Sequence, residues 1–228
     1  MQAGAELVLV SSIATILFSG VISVYLGRQW YRQEVRLLTD LPLVFAISFV
    51  SQTLNMIILT LPNLGVLAPS MELFRLRSVI ISGATVPVLG ALLQIWAPSI
   101  QKYHNRLVYI LLIYWVSIAL FGVTEQFVMI MTIPVIIGLG IMMVFTFVVT
   151  WRTGRLREVR SDLMIISVLF GMASQVMRVP LISTPFFYIP DVLLTISMVV
   201  GALALTNPWY HRERKIKAEE APQLTAVF

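Results

Sequence analysis

Apolar residues run almost unbroken through seven stretches of this chain, 6–27, 41–61, 76–96, 107–123, 127–150, 163–182 and 187–207, and polar residues collect in the gaps between them. Each stretch is close to the about 20 residues an α-helix needs to cross a hydrocarbon layer of roughly 30 Å. Lipid offers backbone N–H and C=O groups no partner, so such stretches are expected to satisfy themselves as helices. The gaps alternate in charge. Arg28, Arg32 and Arg36 fill the first, Lys102 and Arg106 the third, and Arg152, Arg155, Arg157 and Arg160 the fifth, while Arg212, Arg214, Lys215 and Lys217 follow the last run. Gaps two, four and six hold almost no positive charge. Because Lys and Arg are retained on the cytoplasmic side, the pattern predicts an all-α integral membrane protein of seven transmembrane helices, N-terminus outside and C-terminus inside. Trp30, Trp96, Trp151 and Trp209 fall at the cytoplasmic ends of runs, where an indole settles at headgroup level; Trp115 lies mid-run. The first run follows MQAGAE, which has no basic residue, and reads as a retained span.

The chain also matches itself. Arg28, Glu34, Val35 and Arg36 align with Arg152, Glu158, Val159 and Arg160 at an offset of 124, and Ser51, Gln52, Asn55 and Pro62 align with Ser174, Gln175, Arg178 and Pro185 at 123. Gly90-Ala91-Leu92 with Pro98 resembles Gly201-Ala202-Leu203 with Pro208. The matches come in order, which predicts parallel three-helix repeats, 6–98 and 127–208, joined by a linker helix, 107–123, within a transmembrane domain 1–208; 209–228 is a short basic cytoplasmic tail.

Composition sharpens this picture. With 58% hydrophobic and 12% charged residues and a mean hydropathy of +0.90, 228 residues cannot present a polar surface to water, so the bilayer is the expected solvent and the cell membrane the expected site. The net charge of +5 is topological and implies no nucleic acid. There is no Cys, and the two histidines, His104 and His211, lie in inner segments, so no thiolate, haem or other metal chemistry is expected within the spans.

Polar residues inside the runs are therefore the candidates. Ser48, Ser51, Gln52 and Asn55 share a face of the second run, with Ser78, Ser82 and Thr85 on the third, Ser167, Ser174, Gln175 and Arg178 on the sixth, and Asp191 and Thr195 on the seventh. They predict an outward-facing polar cavity between the repeats, where parallel-repeat transporters bind their solutes. Arg178 and Asp191 fall at similar depth on neighbouring runs and predict an ion pair, since a lone charge in a span is costly. Arg77 and Arg75, with Glu72 and Glu125, could extend that network. The ligand or ion-pair candidates are Arg178, Asp191, Gln175, Gln52, Asn55, Arg77 and Thr195. Pro87, Pro134 and Pro180 interrupt runs and free backbone carbonyls, and Gly83, Gly90, Gly138 and Gly140 let helices approach closely.

The seven-span, N-out, three-one-three plan is similar to two known groups in architecture, and the residues separate it from both. Microbial rhodopsins carry a retinal-bearing Lys four residues after an Asp in the last span; here Asp191 is followed by Thr195, and Lys102, Lys215 and Lys217 are all cytoplasmic. Retinal is excluded. The SWEET and PQ-loop families share parallel three-span repeats, but no Pro-Gln dipeptide stands in either half. Neither likeness carries a motif.

Enzyme chemistry is not expected. Asp191 is the only intramembrane aspartate, no His base lies in a span, and Glu34, Asp40, Glu158 and Asp162 are dispersed among arginines at the inner face. The leading expectation is a facilitator or secondary transporter for a small polar or anionic solute, acting as a homo-oligomer or within a larger membrane complex. The alternatives are a non-retinal seven-helix sensor and a structural or accessory subunit of such a complex.

Overall fold

The apolar runs become helix. The computed structural model describes residues 2–34, 36–154, 159–181, 184 and 186–208, and these form α1 (Gln2–Tyr31), α2 (Leu41–Asn63), α3 (Met71–Trp96), α4 (Gln101–Phe121), α5 (Glu125–Thr153), α6 (Ser161–Leu181) and α7 (Ile189–Thr206), with a single 3₁₀ turn at Pro98–Ile100. The basic tail, Trp209, Arg155, Arg157, Glu158, Val35 and Pro185 lie outside the described residues.

Several helices outrun their apolar stretches, because capping and hydropathy mark different boundaries. Ser70 accepts from the Leu73 N–H and starts α3 five residues before the apolar run at 76; Thr124 does the same for α5 through the Phe127 N–H. Gly154 ends α5 in the left-handed region, at φ 61°. Six helices, α1 to α5 and α7, are long and apolar enough to cross a membrane, the make-up of a polytopic membrane protein. α6, which carries Asp162, Gln175 and Arg178, is not among them.

Packing closes a ring. α1 lies against α2 and α7, α2 against α3, α3 against α5, α5 against α6, and α6 against α7; α4 sits outside, mainly on α3. At one end the ring is filled by Leu26, Phe45, Phe49, Met143, Phe147, Met164 and Met198, all buried. The rings of Phe45 and Phe49 meet edge to face at 5.9 Å. At the same end Trp96 stacks on Phe145 at 5.3 Å and donates through Nε1 to Thr146 Oγ1 at 2.8 Å, tying α3 to α5.

Small residues allow the close approaches. Ser167 and Ser197 donate to each other's backbone carbonyls at 2.8 and 2.7 Å, locking α6 to α7. Gly83 faces Ser51 Oγ and Gly201 faces Ser167 Oγ, with no room for a Cβ at either. Pro87 and Pro134 stand inside α3 and α5, and a neighbouring helix donates to the carbonyl three residues before each: Ser48 Oγ to Ala84 O at 3.1 Å, and Tyr114 Oη to Met131 O at 3.1 Å.

Candidate functional site

Away from its apolar plug the ring is not filled. A cavity of about 380 Å³ lies between α3, α4, α5 and α6, lined by residues that include Phe74, Arg77, Ser78, Trp115, Thr132, Gln175 and Arg178. A second, of about 230 Å³, shares Ile81, Ile136 and Gln175 with it and reaches Gln52 and Asn55 on α2 and Met143 on α5. From Arg77 to Val88 along α3 the two extend roughly 16 Å, at 1.5 Å per residue. The expected polar lining is only half of what is found. Ile81, Ile133, Ile136, Ile137, Met172 and Val176 make most of the wall, and the polar groups gather towards one end.

That end is set by helix register. Arg178 stands in the last turn of α6 and Asp191 in the first turn of α7, so the tight connection between them brings the side chains together. Arg178 Nη2 donates to Asp191 Oδ1 at 2.6 Å, with side chains only 16% and 3% exposed. Asp191 Oδ2 accepts from Ser12 Oγ at 3.0 Å and Ser11 Oγ at 3.4 Å. Thr15 Oγ1 and Thr195 Oγ1 lie 2.9 Å apart, and both donate to the Asp191 carbonyl. Arg178 Nη2 also contacts Met56 Sδ at 3.6 Å, while its Nε is buried with no partner among the described residues.

Arg77, seven residues into α3, is near enough to Arg178 for the two cations to repel. It donates through Nε to Asn55 Oδ1 at 3.2 Å, a single hydrogen bond among the described residues. Exposed Glu125 at the start of α5 attracts it. Gln52 Nε2 is buried without a partner among the described residues, and Gln175 borders both cavities. Arg75 is separate: it pairs with Glu72 at 2.8 Å and donates to Gly122 O at 3.2 Å, stapling α3 to the α4–α5 turn. At the other end of the bundle Arg160 donates to Asp162 at 2.9 and 2.6 Å, and this hydrogen bonding holds the Asp162 carboxyl below the usual carboxylate range.

The seven candidates therefore divide. Arg77, Arg178, Gln175, Gln52 and Asn55 face the cavities. Asp191 and Thr195 look towards α1, and Asp191 reaches the cavity only through Arg178. Ser48, Ser51, Ser82, Ser167 and Ser174, expected to line a cavity, are buried in helix contacts. Ser48, Ser82, Ser167 and Ser174 are satisfied there by backbone carbonyls, the economical arrangement for a short hydroxyl in an apolar bundle. Sequence reasoning missed Ser11, Ser12 and Thr15. Their signal was the stripe Ser12, Thr15, Ser19, Ser23 at helical spacing on α1, each less than 7% exposed. Among the described residues no group of three His, Asp or Glu side chains is placed to hold a metal. No family model matches the chain, and no curated protein or solved structure matches it either.

Proposed function

We propose that the chain is a facilitator or secondary transporter for a small anionic solute in the cell membrane, with seven spans, the N-terminus outside, and a cavity that opens outward between two three-helix repeats. The observation that carries this reading is the cavity itself. Its larger part lies between α3, α4, α5 and α6 and its smaller part reaches α2, and two arginines with one nearby carboxylate stand at the polar end of the larger part. Under the three-one-three plan the packing of α1 on α7 is the counterpart of α5 on α3, and α4 outside the ring is the linker. α6 fits as a span because its intramembrane polar residues, Arg178 and Gln175, line the cavity.

The test is uptake of an organic anion into proteoliposomes. Arg77→Gln is expected to lower the initial rate about tenfold, the loss of one charge-assisted hydrogen bond, and Asn55→Ala to lower it less. Rates unchanged in both variants, or equal to those of protein-free liposomes, defeat the reading. Binding without uptake would favour the sensor.

A further inference from the structure

The wall chemistry names a ligand class more closely than "anionic". We infer that the cavity takes an anionic amphiphile, one carboxylate or phosphate head held by Arg77 and Arg178 and an apolar body along Ile81, Ile133, Ile136, Ile137, Met172 and Val176. The inference rests on the cavity assignment above and deepens it.

Three observations carry it. The first is the lining: a small hydrated anion entering this space gives up water and meets mostly hydrocarbon, whereas an apolar body gains by the same contact. The second is charge. Arg77 and Arg178 repel one another, Asp191 engages one Nη of Arg178 only, and Arg77 has an amide oxygen as its sole hydrogen-bond partner among the described residues. Exposed Glu125 attracts Arg77 from outside the lining. One further anion at the polar end meets two guanidinium groups with donors to spare, the geometry in which charge-assisted hydrogen bonds are strongest. The third is continuity. Both guanidinium groups stand towards one end of the larger cavity and Ile81, Ile133, Ile136 and Ile137 run inward from them, so head and body each meet their own kind of surface there.

Trp115 supplies the readout. Its Nε1 donates to Ser78 O at 2.8 Å and its ring lines the cavity, while Trp30, Trp96 and Trp151 lie at the opposite end of the bundle. Protein in nanodiscs of zwitterionic lipid would be titrated with dibromostearate, with a brominated-chain lysophosphatidate and with the brominated C18 alcohol, following tryptophan emission. Either anion is expected to quench a component that Trp115→Phe lacks, at concentrations where the neutral alcohol does not. Arg77→Gln is expected to raise the half-quenching concentration about tenfold. This variant leaves the Arg178–Asp191 pair intact, so the result does not hinge on folding. The anion acting at lower concentration identifies the head. Equal quenching by the alcohol, an unchanged titration in Arg77→Gln, or no Trp115 component from either amphiphile would overturn the inference. Uptake read in proteoliposomes made from the same protein separates the two claims. Trp115 quenching without amphiphile uptake upholds the ligand and removes transport; uptake of short anions without such quenching does the reverse.

Discussion

Asp191 is surrounded by donors from two other helices, Arg178 on α6 and Ser11 and Ser12 on α1, and this fixes how each can be altered. Removing one partner of a desolvated ion pair strands the other. Arg178→Gln and Asp191→Asn are each expected to destabilise the protein by about 3–5 kcal/mol, read as a lower thermal unfolding midpoint in detergent. The double variant is expected to lose much less than the sum of the two single losses, because the pair interacts directly. Ser12→Ala is expected to cost only about 1 kcal/mol, since Ser11 and Arg178 still serve the carboxylate. Both charges were legible in the sequence because an Arg or Asp inside an apolar run has no cheap explanation. The α1 hydroxyls were not, because Ser and Thr satisfy themselves on their own helix wherever they fall, as Ser19 and Ser23 do.

At the scale of the helices, hydropathy located each element but not its ends. α3 begins at Met71 on a Ser70 cap, and the Glu72–Arg75 pair rides on its first turn, features a search for apolar residues passes over. Nor did residue type say which small residues pack and which line a space. That choice depends on how each helix is rotated, and rotation is settled by neighbours. Gly201 shows the constraint. A Cβ there would lie 2.7 Å from Ser167 Oγ, itself fixed on the Ser197 carbonyl, so Gly201→Ala is expected to cost about 1–3 kcal/mol by overpacking the α6–α7 contact. α6 also carries a mild pH dependence. The Asp162 carboxyl is lowered by Arg160, so its contribution is complete above the ordinary aspartate range and is lost as pH falls through the lowered value. Asp162→Asn is therefore expected to lower the unfolding midpoint slightly at pH 7, with the difference from the parent shrinking as the pH is taken further below the ordinary Asp value of about 3.9.

The arrangement of the whole bundle can be tested without first removing any native thiol, because the chain has no cysteine. Val123, 85% exposed in the α4–α5 turn, and Lys102, exposed near the start of α4, lie at opposite ends. With Val123→Cys and Lys102→Cys, an impermeant maleimide is expected to label the first in intact cells and the second only after lysis; the reverse would invert the proposed topology. That topology rests on the charge alternation in the sequence, and the labelling tests it. The repeat was harder to follow into three dimensions, since Arg155, Arg157, Glu158 and Pro185 lie outside the described residues. The packing of one end was invisible in the sequence, because Phe and Met look alike whether they meet lipid or one another. Phe45, Phe49, Met143, Phe147, Met164 and Met198 close the ring there completely. Among the described residues that floor is apolar, so under the proposed function a bilayer holding the protein in this state is expected to keep its ion gradients. Under the proposed function, cargo passes only when unbranched, adaptable methionines rearrange, so passage is expected to be timed by side-chain motion and not by diffusion.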